Sequence, residues 1–184
     1  LKEFKTRDMC LAACMMVEGI LYLRVEKDTE DNRRLTFVFD LEGGRKQEEV
    51  DVVAKSIREG GGDCLGVAAH AGDSKACQDL IDMVITTYGG LDILVNNAGI
   101  SMRAKFVDVE LSVLHRLMNV NFWGTVYCTK YALPYLIANK GSLVGVSSVA
   151  GFHGLPGRTG YSASKFAIHG FLETIRIENL KKRL

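Results

Sequence analysis

The chain has 184 residues, with 23 basic against 22 acidic, 47% apolar and 24% charged, and only 2 prolines. That is the length of one domain and the composition of a chain that buries a core, which excludes disordered and collagen-like classes. The near-neutral balance, without a dense basic stripe, excludes an electrostatic footprint for nucleic acid. Five cysteines in no C-x-x-C pair argue against a disulfide framework or a structural zinc site. The scattered His115, His153 and His169 argue against any metal centre, and they, Ser147 and Cys128 have no partner at a useful sequence spacing.

Residues 1–34 form an atypical N-terminal segment. Lys2, Lys5 and Arg7 precede an apolar stretch from Met9 to Val17 that Glu18 interrupts, too short to cross a bilayer of about 30 Å as a helix. No small-residue cleavage pattern stands out. With reduced cysteines this points to the cytoplasm, a membrane-associated form being the alternative. Ile20–Val25 has the composition of a strand, but only Glu26–Arg34, all charged or polar, separate it from the next apolar run. A parallel crossover normally needs about a dozen residues or more.

From Leu35 onward strand-like runs alternate with helix-period segments. Leu35–Phe39 reads as a strand stopping at Asp40. Arg45–Glu59 carries Val50, Val53, Ala54 and Ile57 on one helical face and stops at Gly60-Gly61-Gly62. Cys64–Ala69 is the next strand. Asp73 and Ser74 can cap a helix bearing Ala76, Leu80, Ile81, Val84 and Ile85, which stops at Tyr88-Gly89-Gly90. Leu91–Val95 is a strand that turns at Asn96–Gly99. A long helix from Leu111 to Ala138 leads to the strand Ser142–Val146, and a last helix runs from near Tyr161 towards Arg183. Strands apolar on both faces and separated by helices predict an α/β fold with a doubly wound parallel sheet over residues 35–184. Ligands in such sheets bind beyond the carboxyl ends of the strands, where Asp40, Asn96–Gly99 and Ser147-Ser148 fall. The same residue types are ordinary turn formers.

Tyr161 and Lys165, four apart at the start of a helix, share one face. A nearby ammonium favours the phenolate, so such a tyrosine can pass protons near neutral pH. A lone Tyr-x-x-x-Lys is also what a surface tyrosine packed on a lysine stem would give. Ser148, thirteen residues upstream at a strand end, adds a hydroxyl that can polarise a carbonyl while the tyrosine protonates it.

Taken together, Leu91-Asp-Ile-Leu-Val-Asn-Asn-Ala-Gly-Ile100, Val120-Asn-Phe-Trp-Gly124, Ser148 and Tyr161-Ser-Ala-Ser-Lys-Phe-Ala167 resemble the signatures of the short-chain dehydrogenase/reductase family, in its hydroxysteroid-dehydrogenase-like branch. The resemblance implies a Rossmann-type core and transfer of a hydride between NAD(P)(H) and a secondary alcohol or ketone. It implies Tyr161 as general acid/base, Lys165 on the nicotinamide ribose, Ser148 orienting the substrate oxygen and Asn121 holding a relay water. Asn96 would brace the sheet and the cofactor, with Ala98 and Gly99 leaving the cofactor room. Asp40 would accept hydrogen bonds from the adenosine ribose, favouring NAD over NADP, although Arg45 and Lys46 could meet a 2′-phosphate. The small-molecule substrate stays unspecified; Met102, Phe152, His153 and Leu155 suggest a partly apolar pocket. The family's habit also implies a homodimer or homotetramer through the helices from Leu111 and Tyr161.

The sequence departs from the family at both ends. The glycine-rich turn should precede Leu35, yet residues 1–34 hold only Gly19, and the family's last strands have no counterpart after the final helix. The expectation is a truncated core whose sheet is split, since the missing first strand lies between the second and the fourth. The alternative function is therefore a catalytically inactive chain that acts through dimerisation with related subunits.

Overall fold

A computed structural model describes residues 12–17, 20–25, 39–40, 47–61 and 63–180. β1 (Ala12–Val17) and β2 (Ile20–Val25) form an antiparallel pair with Val17 opposite Ile20. Two residues suffice to close a hairpin but not a parallel crossover. The Ile20–Val25 run is thus spent on its own neighbour. The expected strand start at Leu35, helix start at Arg45 and helix end at Arg183 lie outside the described residues. Among the described residues no helix is long and apolar enough to cross a membrane.

β3 (Phe39–Asp40) pairs in parallel with β4 (Ala68–Ala69), Asp40 facing Ala69 across the ladder. The strand expected from Cys64 is shorter than its apolar run because side chains of α1 (Gln47–Glu59) take its backbone groups. Arg58 Nη1 donates to Cys64 O at 2.7 Å, and Gln47 donates to Gly66 O at 2.9 Å while accepting from the Ala68 N–H at 2.8 Å. Backbone polar groups need a partner, and here the helix supplies it in place of a ladder. Val50, Val53 and Ala54 bury the apolar face of α1, as its spacing predicts.

α2 (Ser74–Tyr88) is capped as its sequence suggests. The Asp73 carboxylate accepts from the Lys75 and Ala76 N–H groups at 2.8 and 3.1 Å, and Gly89 closes the other end at φ 79°. β5 (Ile93–Asn96) and β6 (Ser142–Gly145) form a second parallel pair with Ile93 opposite Ser142. The core lies where α2 and the following long helix meet this pair: Ile81, Val84, Leu91, Leu94, Ala132 and Leu136.

The long helix is not uniform. α3 (Leu111–Leu117) passes into a π-helical turn (Met118–Trp123) and then α4 (Gly124–Asn139). The Gly124 N–H reaches back five residues to Asn119 O. Such a π segment inside an α-helix frequently marks a functional site, and this one holds the fully buried Asn121. A 3₁₀ turn at Val149–Gly151 then leads towards α5 (Thr159–Asn179).

Among the described residues the pairs β3–β4 and β5–β6 do not join into one sheet. A narrow cleft of about 40 Å³ opens in that region, lined by Ala69 of β4, Leu94, Val95 and Asn96 of β5, and Gly124 and Thr125 of α4.

Candidate active site

The first turn of α5 carries Tyr161, and the next turn carries Lys165 on the same face. Lys165 is 4% exposed. Its Nζ donates to Val146 O at 2.8 Å, one residue past β6, and lies 5.8 Å from the centre of the Tyr161 ring. Burial alone holds the ammonium below the ordinary lysine range, because the charged form loses water that one carbonyl only partly replaces.

Asn121 reaches this group from the π turn. Its Oδ1 accepts from the Ile100 N–H at 2.8 Å, while Nδ2 donates to Ile100 O at 3.0 Å and to Ser164 Oγ at 2.9 Å. Ser164 Oγ in turn donates to Tyr161 O at 2.7 Å. The side-chain amide is therefore bonded to protein through both its oxygen and its nitrogen, and the Asn121 carbonyl accepts from Thr125 Oγ1 at 2.9 Å. Asn121 thus clamps the end of the Asn96–Ile100 turn to the N-terminal half of α5.

Gly99 lies where these parts converge. A Cβ built on it would stand 3.4 Å from both Asn121 Oδ1 and Lys165 Nζ, so the missing side chain keeps the approach to Lys165 open. Asn96 is placed differently. Its Nδ2 donates to Thr129 Oγ1 at 3.0 Å, tying the carboxyl end of β5 to α4. Asn96 and Ala98 also line the cleft between the strand pairs.

Ser148 caps the 3₁₀ turn, its Oγ accepting from the Ala150 N–H at 3.2 Å. The turn packs on α5. Ser147 beside it has a partner that linear spacing did not reveal: its Oγ lies 2.7 Å from His169 Nε2, two helical turns beyond Tyr161. Neither has a partner at a useful sequence spacing; the fold brings the two together across 22 positions. Phe152 sets its ring edge on the same imidazole, 4.2 Å between centroids.

Asp40 ends β3 at the carboxyl end of the other strand pair. Arg45 and Lys46 lie outside the described residues. Of the residues expected to line a substrate pocket, Met102 is buried, whereas Phe152 and His153 are exposed on the loop before α5. Two residues that the sequence left unmarked join the site: Ser164, whose hydroxyl three positions after Tyr161 is a recognisable back-bonding signal, and Arg158, whose guanidinium lies 5.9 Å from the Tyr161 ring centre. Among the described residues no cluster of histidine, cysteine or carboxylate could hold a metal ion.

The short chain dehydrogenase family model matches residues 41–184. The 11-beta-hydroxysteroid dehydrogenase-like 4A of Arabidopsis thaliana is 40% identical over 136 residues, covering 73% of this chain and 46% of that protein. The 11-beta-hydroxysteroid dehydrogenase A of Sesamum indicum is 37% identical over 136 residues, 73% of this chain and 39% of that one. The chain spans less than half the length of these relatives. Among solved structures, an alcohol dehydrogenase from the archaeon Thermococcus sibiricus complexed with 5-hydroxy-NADP superposes with a TM-score of 0.73 at 20% identity, over 79% of this chain and 60% of that one. A short chain dehydrogenase/reductase from Burkholderia phymatum in complex with NAD gives a TM-score of 0.72 at 21% identity, over 79% and 50% of the two chains. The structural likeness shows a Rossmann-type α/β fold, and with the match over residues 41–184 the chain belongs to the short-chain dehydrogenase/reductase family.

Proposed function

We propose that this chain carries the catalytic core of an oxidoreductase that moves a hydride between NAD(P)(H) and the hydroxyl or carbonyl carbon of a small molecule. One observation carries the reading: a buried lysine ammonium, fixed by Val146 O, stands beside Tyr161 at a place left open by Gly99. The chain fits a nicotinamide cofactor at its ribose end, where Lys165 would hold the ribose hydroxyls and Gly99 leaves space for them. At the phosphate end no glycine-rich turn is found in residues 1–34. When bound, the nicotinamide supplies the carbon that donates or accepts the hydride.

The side chains do the rest. Tyr161 holds the proton that enters or leaves the substrate oxygen, and the Lys165 charge favours its deprotonated form for alcohol oxidation. Ser148 orients the same oxygen by donating its hydroxyl hydrogen, while its oxygen accepts from the Ala150 N–H. With its amide bonded to protein, Asn121 would hold a relay water by its backbone carbonyl. Asp40 at the end of β3 favours NAD through ribose hydrogen bonds and repulsion of a 2′-phosphate.

Titration of the whole chain with NADH and NADPH, followed by nicotinamide fluorescence, tests the cofactor. Micromolar binding of NADH, weakened by Asp40→Ala, is the expected result. A screen of alcohols and ketones with Tyr161→Phe as control then tests the chemistry. A folded chain that binds neither nucleotide overturns the reading.

A second reading, association of a catalytically silent chain with a further copy or a related subunit, is supported by the exposed Trp123, Phe166, Ile177 and Leu180 on or beside α4 and α5. Sedimentation of the chain and of Phe166→Glu tests it, a monomer in both being the result against.

A further inference from the structure

Arg158 immediately precedes α5. Its Nη1 donates to Ser101 Oγ, and the guanidinium carbon sits 5.9 Å from the Tyr161 ring centre. The backbone beneath it is fixed. Its N–H donates to Leu155 O at 3.1 Å, its carbonyl accepts from the Ser162 N–H at 2.7 Å, and the adjacent Gly157 O accepts from the Ala104 N–H at 3.0 Å. The loop carrying Arg158 and the segment carrying Ser101 are thus laced together around Tyr161.

The side chain is half-buried, and its partners are a neutral hydroxyl and an aromatic face. Among the described residues no carboxylate meets it. A guanidinium keeps its charge at every physiological pH and offers five donors in a planar fork matched to a carboxylate. Partly withdrawn from water without an acidic partner, it is better compensated by an anion that arrives than by anything already in place. Its position decides where that anion comes from. The guanidinium carbon lies 5.9 Å from the Tyr161 ring centre, so a molecule that docks an oxygen on the Tyr161 phenol has Arg158 as its nearby cation on this loop. The exposed Phe152 and the partly exposed Leu155, on the same loop, give the remainder of such a molecule an apolar surface.

We propose that Arg158 is a specificity-determining residue that receives a carboxylate carried close to the reacting carbon, so that the preferred substrates are hydroxy or oxo acids with an apolar chain. This rests on the reading of Tyr161 as the acid/base.

The whole chain is assayed with NAD on 3-hydroxyoctanoate and on its ethyl ester, in wild type, Arg158→Gln and Arg158→Lys. The expected result is kcat/KM about tenfold or more higher for the acid than for the ester. The ratio falls to about one in Arg158→Gln, through KM for the acid, and is partly kept in Arg158→Lys. High salt shrinks the wild-type ratio. Saturation-transfer NMR of octanoate, which cannot react, supplies a readout without turnover: binding to the wild type that is lost in Arg158→Gln is expected. Oxidation of both compounds with a ratio near one, or an equal fall for acid and ester in Arg158→Gln, overturns the inference and leaves the reading of Tyr161 standing. Octanoate binding that depends on Arg158 without turnover of either compound supports the carboxylate site and counts against the oxidoreductase reading. Neither turnover nor octanoate binding overturns both.

Discussion

Ser147 Oγ and His169 Nε2 lie 2.7 Å apart, joining the loop after β6 to the middle of α5 one residue before Ser148. A Cβ on Gly151 would stand 2.6 Å from Ser147 Oγ and 2.8 Å from the imidazole, and Phe152 meets the ring at 4.2 Å between centroids. The bond is a fastening. Ser147→Ala and His169→Phe should each cost about 1 kcal/mol, and the double variant should cost less than their sum, because both remove one bond. Urea unfolding of the four proteins measures this; strict additivity would show that the two residues do not act together.

Asn121 is a stronger case. Its amide makes three hydrogen bonds in a fully buried position, two of them to the backbone of Ile100. Asn121→Leu keeps the approximate volume but leaves the partly buried Ile100 N–H without that acceptor. We expect a loss of about 2–4 kcal/mol in urea unfolding. A loss below about 1 kcal/mol would mean that water replaces the amide.

How much of this was legible beforehand follows from the range of each interaction. The cap of α2 by Asp73, its stop at Gly89 and the shared face of Tyr161 and Lys165 are local, so sequence spacing reveals them. The shortening of β4 was not legible, because Gln47 and Arg58 of α1 take backbone groups about twenty and six residues away. The π turn escaped too: the apolar period of Leu111–Ala138 reads as one helix, and a single inserted residue barely disturbs it. Ser147–His169 and Arg158–Tyr161 are proximities of side chains around the loop before α5. Of these, the first spans 22 positions and depends on the turn after β6 packing on α5.

The end of α4 gives a paired test. Lys140 takes the left-handed conformation at φ 53°, with its N–H bonded to Ile137 O at 3.2 Å and the Gly141 N–H to Leu136 O at 2.8 Å. This is a helix stop in which glycine usually occupies the left-handed position. Here the glycine follows it, because Gly141 passes so close to Asp92 that a Cβ would stand 2.2 Å from its carbonyl oxygen. Lys140→Gly should raise stability by about 1 kcal/mol, whereas Gly141→Ala should lower it and disturb the pairing of Ile93 with Ser142. Thermal unfolding of the two variants checks the opposite signs.

Lys165 links stability to pH. Its pKa is lowered from 10.5 in the folded chain by burial, while the unfolded chain titrates near the ordinary value. Below the folded pKa both states carry the proton, and the full desolvation penalty opposes folding. Between the lowered pKa and 10.5 the unfolded state holds more protons, so this residue's contribution makes stability rise with pH. Lys165→Met removes that contribution and fills the site with a side chain that loses little on leaving water. Urea midpoints measured from pH 8 to pH 10.5 should climb more steeply, or fall less, in the wild type than in Lys165→Met. Parallel profiles would show that the ammonium is as well solvated in the folded chain as in the unfolded one, and the buried cation beside Tyr161 would lose its physical basis.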